Sequence, residues 1–558
     1  MAVPTIRSSI MARFLALLLL ILPACSSPDA DRIFVNGVVW TGNPDQPAAE
    51  ALAVGGGRLI AVGAEQEARA LQGPDTEVID LDGAFVVPGF IDNHTHFLSG
   101  GLGLASVDLR DAASPEEFAE RMATFAPQIP AGRWIEGGDW DHEMWGGELP
   151  DRSWIDASTT ENPVFVSRLD GHMGLANTLA LEMAGITADT PDPDGGTIVR
   201  RPDGQPTGVL KDAAMDLVWA VIPAKSLDER LEMFSRAQEH ALSRGVTQIH
   251  DVGSYGGWID LEAFEEAHHA GLMKLRVYSL VALRTWPLLE ARIAELGRGD
   301  DRLRWGGLKG MVDGSLGSTT ALFYEPYLDE PGTSGLLVND TSAIHQQILA
   351  ADEAGLHLAI HGIGDAANDW VLDVFAEAVE NNGPADRRWR IEHAQHLTRE
   401  AIDRFDDLGV VPSMQPYHAI DDGRWAVNRI GEERIKTTYA FRSLLDAGAD
   451  LTFGSDWTVA PIDPLLGIYG AVTRRTIDGA NPDGWVPEEK ISVEEALTAY
   501  TLSNARAGFW DQDTGSLEIG KQADFVVLSN NLLTIDPNAI PDATVLQTVI
   551  GGETVYAR

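Results

Sequence analysis

Cysteine is almost absent: the 558 residues include one, Cys25. No intrachain disulfide can form, and no metal site can be assembled from thiolates. Basic residues are scarce as well, 41 Lys and Arg against 84 Asp and Glu, for a formal charge of -43. Such a field repels phosphate polymers and anionic membrane faces, which excludes nucleic acid as a partner. No basic patch with interleaved aromatics offsets it. Long apolar runs are missing too. The most hydrophobic stretch, residues 14–22, has about half the length that a membrane-spanning helix needs. It follows Arg7 and Arg13 and leads into Pro23-Ala24-Cys25, an order that fits a secretory signal. The arrangement resembles a bacterial lipoprotein signal, cut before Cys25 with lipid on its sulfur. Residues 1–25 are therefore expected to direct export to the periplasm or cell envelope, with an outer-membrane lipoprotein as the mature form. An apolar N-terminal helix of the fold is the alternative.

What is present is an apolar fraction of 44% with 56 Gly and 29 Pro, enough for a large core connected by many turns. DRIFVNGVVW, ALAVGGGRLIAVG and TEVIDLDGAFVVPG are β-rich runs broken by Gly and Asn, a hairpin pattern. The far end, from GSLEIGKQADFVVLSNN to TVLQTVIGGETVYAR, has the same character. These regions form either two separate caps or one small sheet domain around the chain ends. Between them, strand-like runs at 164–166, 245–250, 275–280, 307–312, 356–361, 389–392, 410–414 and 450–454 alternate with longer helix-like runs. SLDERLEMFSRAQEHALSRG, TSAIHQQILAADEAG and DAANDWVLDVFAEAVEN are examples of the latter. Repeated β-then-α units predict a parallel sheet with crossover helices, closed or open. Residues 100–235 are richer in Gly, Pro, Asp and Trp and predict an insertion or long loops over one face.

All fourteen histidines lie between His94 and His418. His240, His268, His269 and His345 sit in helix-like stretches, where a structural or exposed role suffices. In FVVPGFIDNHTHFLSG, His94 and His96 follow an apolar, β-branched run. A strand puts residues i and i+2 on one face, and imidazole is a good ligand for zinc and similar ions. One such pair is weak evidence. Three later segments add to it: GLHLAIHGIGD ends its apolar run at His361, RWRIEHAQHL places His393 after a strand-like stretch, and LTFGSDW ends in Asp456. Each stands where a hydrophobic strand gives way to a turn, the edge at which active-site groups gather in α/β folds. A buried histidine bonded to a carbonyl, or a helix-capping aspartate, explains any one of them alone. Their repetition at equivalent strand ends asks for a shared job. His357 is expected to pack under the site and His396 to begin a helix. GLKGMVDGSLGSTTALFYEPY supplies Lys309 and Asp313. A bare lysine cation in an apolar strand is costly, which requires an inward salt bridge, access to solvent or another chemical state.

FIDNHTHF, LKGMVDGSLGSTTALF, AIHGIGD, RIEHAQHL and LTFGSDW together resemble the metal-dependent amidohydrolase superfamily, and more narrowly its YtcJ-like branch, which includes N-substituted formamide deformylase. The resemblance covers almost everything from Asp31 onward. It implies an α/β fold: a TIM-like (β/α)8 barrel over residues 86–510, with the inserted loops near 100–235, and a small β-sandwich assembled from residues 26–85 and 511–558. It also implies a divalent metal centre of two zinc ions. His94 and His96 would bind the more buried ion, and His361 and His393 the second. Lys309, carbamylated by CO2, would bridge the two, and Asp456 would be both a ligand of the first ion and the proton handler. Nitrogen and oxygen ligands also accept cobalt, manganese, nickel or iron. An unmodified Lys309 would favour a single ion.

The expected activity is hydrolysis of a non-peptide C–N bond in a small amide by a metal-activated hydroxide, with Asp456 as general base and then acid. The family's DGH-like segment faces the site, so Asp170 and His172 of VFVSRLDGHMGLAN are pocket candidates, His172 for the substrate carbonyl or oxyanion. His250 and Asp313 are further candidates for the pocket or for orienting a ligand. Trp140 and Trp145 of GGDWDHEMWGG form either an apolar lid or the packing of the inserted loops. No GxSxG elbow supports a serine mechanism. A cyclic amide, carbamate, ester or lactone at the same centre is the alternative substrate class. An exported binding protein with a degenerate site is the non-enzymatic reading, and homo-oligomerisation is left open.

Overall fold

The computed structural model describes residues 29–254 and 256–558, so the signal-like segment with Cys25 lies outside the described residues. Eight strands from the central region pair in parallel: β1 (Phe90–Thr95), β2 (Val246–Asp251), β3 (Arg276–Ala282), β4 (Leu303–Met311), β5 (His357–Gly362), β6 (Arg390–His393), β7 (Val411–Met414) and β8 (Thr452–Phe453). Neighbours in the chain are neighbours in the sheet from β1 to β8. Just past β8 the chain meets β1 again. Asp456 N donates to His94 O (2.8 Å) and His96 N to Trp457 O (2.7 Å), and these bonds close the barrel. Gly454 permits the approach: a Cβ there would stand 2.5 Å from Asn93 Oδ1 and 2.7 Å from His94 N. Every residue of β1, β2, β5, β6 and β7 is buried, as a parallel strand covered on both faces requires.

Helices α1 (Leu227–Ser243), α2 (Trp258–His269), α3 (Trp286–Leu296), α4 (Thr341–Glu353), α5 (Asp365–Asn382) and α6 (Arg399–Leu408) alternate with the strands, and the short α7 (Pro416–Asp422) follows β7. In α5 the residues Ala367, Val371, Leu372, Val374, Phe375 and Ala378 are buried, a stripe at three- and four-residue spacing that faces the barrel. At the start of α1, Ser226 Oγ accepts from Glu229 N (3.3 Å) while Ser226 N donates to Glu229 Oε2 (2.9 Å). This reciprocal cap contributes about 1 kcal/mol.

The chain ends meet in two further sheets. One has the order Arg58–Gly63, Ala51–Gly55, Arg32–Val35, Glu77–Asp80. The other sets Phe525–Leu528 antiparallel to Phe85–Pro88, so a late strand pairs with an early one. Phe34 of the first sheet meets Phe525 of the second edge to face at 4.8 Å, and Leu52, Val54, Val86, Leu517 and Val549 share their core. The two β-rich regions thus make one body rather than two caps.

The segment between β1 and β2 is more than loops. Six strands in the order Gly196–Arg200, Pro206–Asp212, Met173–Ala176, Phe165–Arg168, Gly137–Trp140, Val107–Asp108 form a mixed sheet with its own apolar core. This corrects the grouping of residues 164–166 with the central strands. Strand Phe165–Arg168 turns back through Asp170-Gly171-His172, with Gly171 at φ +70°, and pairs antiparallel with Met173–Ala176. A hairpin partner a few residues away is reached before any barrel neighbour, and β1 already fills the first barrel position. Of the two roles weighed for the tryptophans, the structure assigns packing. Trp140 is fully buried with Nε1 donating to Val166 O (2.9 Å), and Trp145 lies edge-on to Phe118 and Trp154. Among the described residues no helix is long and apolar enough to cross a membrane.

Candidate metal centre

Parallel strands bring their carboxyl ends to one rim of the barrel. His94 leaves the end of β1 with His96 just beyond, Lys309 lies on β4, His361 on β5 and His393 at the end of β6, and Asp456 follows β8. One donor atom each from His94, His96 and Asp456 lies within 4.8 Å of the others, and the same holds for His393, His418 and Asp456. His94 Nε2 and His96 Nε2 stand 3.4 Å and 3.3 Å from Asp456 Oδ1. The His361 and His393 rings are 4.6 Å apart, and Lys309 Nζ is 3.5 Å from His94 Nε2. The backbone helps to aim these groups. His393 (φ 73°), Ala394 (φ 43°) and Asp456 (φ 57°) occupy the left-handed region, at a cost of about 1–3 kcal/mol each.

Four of the imidazoles have one nitrogen bound from outside the cluster. His94 Nδ1 meets Glu392 Oε2, His96 Nδ1 meets Gly253 O (2.7 Å), His361 Nε2 meets Gly314 O (3.1 Å) and His393 Nδ1 meets Gln415 Oε1 (2.8 Å). These four partners are oxygens that only accept, so the bonded nitrogen carries the proton and the other keeps a lone pair. Burial, and after it the Lys309 charge, pushes His94 down to about 4. Burial likewise holds His361 and His393 well below the usual range. Burial alone would raise Asp456, but His94 and His96 outweigh it and keep the carboxylate ionised. Neutral imidazoles at His94, His361 and His393 beside an ionised carboxylate are the protonation states that bind a metal.

The donor set fits a divalent ion for a further reason. Asp456 Oδ1 is buried without a hydrogen-bond partner. His96 Nε2 faces that oxygen, and two lone pairs at 3.3 Å require a cation between them. Burial opposes a charge on His96, yet the Asp456 contact raises its pKa, which shows how strongly this spot favours positive charge. Imidazole nitrogens with one carboxylate suit zinc and its neighbours better than calcium or magnesium. Burial lowers the Lys309 amine to about 8, and no carboxylate pairs with it among the described residues, which leaves the inward salt bridge without a partner.

A cavity of about 440 Å³ opens over this rim, with Leu169, Met215, Trp219, Leu316 and Trp425 on its apolar side. The inserted domain forms the polar wall. His172 Nδ1 bonds Asp212 Oδ1 (2.7 Å), which leaves Nε2 for the cavity, and its ring is 5.7 Å from that of His361. Asp170 is held by Arg168 (2.7 Å) and takes the hydroxyls of Ser315 (2.5 Å) and Ser318 (3.1 Å), so it ties the loop after β4 to the wall. Asp313 is buried one layer out, accepting from Leu322, Ile363 and Gly364 N at 2.8–3.0 Å. His250 does not line the cavity. Its Nδ1 meets Arg390 Nη1 (2.9 Å), Arg390 Nε donates to Glu392 Oε1 (2.6 Å), and Glu392 meets His94. His357 lies under the site beside Tyr278, as expected. His396 does not begin a helix: it bridges Thr438, and α6 starts later, capped by Thr398.

Sequence reasoning passed over Glu392, Gln415 and His418. RIEH carried a signal for the first, since a charged pair two residues apart inside an otherwise apolar run marks a buried network. Gln415 and His418 follow the strand VPSM much as the other site residues follow theirs.

A closed β/α barrel with imidazoles and a carboxylate gathered at its carboxyl rim defines a metal-dependent hydrolase. The chain belongs to the amidohydrolase family, whose model matches residues 77–556. It is 43% identical over 537 residues to "Protein LONG AFTER FAR-RED 3" of Arabidopsis thaliana (94% of this chain, 92% of the relative). It is 33% identical over 536 residues to "Putative amidohydrolase YtcJ" of Bacillus subtilis (94% and 99%) and 31% identical over 552 residues to "N-substituted formamide deformylase" of Arthrobacter pascens (95% and 98%). Among solved structures, an uncharacterized metal-dependent hydrolase from Pyrococcus horikoshii superposes with a TM-score of 0.74 at 31% identity, over 91% of this chain and 99% of the other.

Proposed function

We propose that this chain hydrolyses the C–N bond of a small linear amide bearing an apolar substituent. Two divalent ions, zinc in the first instance, and a Lys309 carbamate formed from CO2 would complete the site. The observation that carries the reading is the convergence of imidazole lone pairs on the partnerless Asp456 Oδ1 beside a partly apolar cavity. The likeness to N-substituted formamide deformylase supports the linear amide. When bound, the ions supply Lewis acidity, which lowers the pKa of water and polarises a carbonyl.

His94, His96 and Asp456 would hold one ion, and His361 and His393 with the carbamate the other. Lys309 Nζ, as the neutral amine, adds to CO2 and releases a proton, which exchanges a desolvated cation for an anion. Asp456 accepts the proton of the attacking water and passes it to the departing nitrogen. Burial would lower the His172 pKa, but the Asp212 carboxylate raises it, and His172 donates from Nε2 to the carbonyl oxygen as the imidazolium while charge develops there. Met215, Trp219 and Trp425 receive the apolar substituent. Arg168 is engaged by Asp141 (2.9 Å) and Asp170, which disfavours a substrate carboxylate on that wall. We also propose export, with Cys25 as the lipidated first residue of the mature chain; mass spectrometry that finds an intact Met1 on cell-derived protein would refute it.

A panel with one N-substituted formamide, cyclic amide, carbamate, ester and lactone tests the reaction. Turnover of the formamide should stop on chelation and return with metal. Faster cleavage of the lactone or ester would move the activity to another bond, and metal-independent or absent hydrolysis would end the proposal.

A further inference from the structure

The second ion was assigned above to His361, His393 and the Lys309 carbamate. The side chains around Asp456 offer a different set, which shares only His393 with that one. His418 lies on α7, and its Nε2 is buried with no hydrogen-bond partner among the described residues. A buried, unpaired ring nitrogen is costly unless something occupies it. Its ring lies nearly parallel to that of His393, 13° between planes and 6.5 Å between centroids, so the two imidazoles flank one space. One donor atom each from His393, His418 and Asp456 falls within 4.8 Å of the other two. The His393 nitrogen beside Asp456 is Nδ1, 3.9 Å from Oδ2, so ligation through it exchanges the Gln415 Oε1 bond for the ion. His361 belongs to neither such group.

We propose that His393, His418 and Asp456 form a protein-only position for the second divalent ion, so that its retention does not depend on carbamylation of Lys309. The inference rests on the metal reading above. Two neutral imidazoles and a carboxylate are the three-ligand set of catalytic zinc sites, with a fourth position left for water or substrate. Ligand atoms around tetrahedral zinc stand about 3.4 Å apart, which small side-chain movements reach from the present spacing. Pro416 in the first turn of α7 restrains the backbone that carries His418, since its fixed φ suits a helix start. The loop after β7 then supplies a ligand in addition to those on the strand ends.

The test uses the full chain stripped of metal and reloaded with Zn2+, in bicarbonate and in CO2-free buffer, with zinc per chain measured by mass spectrometry. Cobalt absorption bands report the coordination of the second position. The wild type should take two ions in both buffers, and Lys309→Met should still take more than one. His418→Ala should keep the first ion and bind the second at least about tenfold more weakly in CO2-free buffer, with an altered cobalt spectrum. His418→Asn, closer in size and polarity, serves if the alanine variant does not fold. Two tightly bound ions in the His418 variants, or loss of the second ion in Lys309→Met, would overturn the inference while leaving the metal reading intact. A wild-type chain that takes no zinc would instead refute that reading, and this inference with it.

Discussion

Replacing Glu392 by Gln preserves a buried shape and removes its charge. One carboxylate oxygen faces His94 Nδ1 and takes the Ser413 hydroxyl (2.8 Å), and the other takes Arg390 Nε (2.6 Å). Glu392 and Arg390 are both 0% exposed. An amide turns its oxygen to only one of these partners and sets an NH2 donor against the other. Two losses follow. A buried arginine without its counter-charge costs about 3–5 kcal/mol, and because His250 Nδ1 (2.9 Å) and Asn93 O (3.1 Å) remain, the lower end, about 3 kcal/mol, is expected in urea unfolding of the metal-free protein. His94 also loses the group that fixes its tautomer, which should weaken the first ion about 10–100-fold in competition with a chromophoric chelator. The pH dependence has a definite sign. Burial alone would raise Glu392, but Arg390 and His94 hold it well below its ordinary 4.5, so its stabilisation is complete above that value and is lost as the pH falls below it. The gap between wild type and variant should narrow on acidification below about 4.5. A stability loss under about 1 kcal/mol, with unchanged chelator competition, would show that the network behind His94 does not hold it.

Asp456→Asn should leave the imidazole ligands in place and lower kcat by about 10²–10⁴, read in steady-state kinetics on metal-loaded protein; a folded variant with normal turnover would remove Asp456 from proton transfer. Trp140→Ala should destabilise the inserted domain by about 3–5 kcal/mol, seen as a lower denaturation midpoint, because the indole fills a core and touches no substrate wall. His357 and His396, both pushed down to about 3 by burial, prefer to stay neutral when folded. Their contribution is present above the unfolded value of 6.5 and declines as the pH falls towards the folded one, so urea midpoints of the metal-free protein should drop progressively across that window.

The site residues on β1, β5, β6 and β8 were legible because each polar group breaks an apolar run at its end, and the barrel and end-domain were legible from periodicity joined to the family resemblance. What stayed hidden has local causes. Adjacent strand residues point to opposite faces, so Glu392 and His393 seem to exclude a common role; the left-handed backbone at His393 is what lets both serve the same cluster. Gln415 and His418 follow β7, but Pro412 and Ser413 interrupt its apolar run, so the sequence does not mark where that strand ends. The insert's strands are only two to seven residues long, and their Gly and Asp punctuation looks like loop until the hairpin partners are seen.

The pairing of Val526 with Val87 joins segments roughly four hundred and forty residues apart. At a synthesis rate of about 5–20 residues per second, the early strand waits some 20–90 s on the ribosome before its mate exists. Through that interval the strand leading into β1 has only its Val38–Trp40 neighbour, and its other edge stays open. A topology that delays its own completion makes the end domain the last part of the molecule to close.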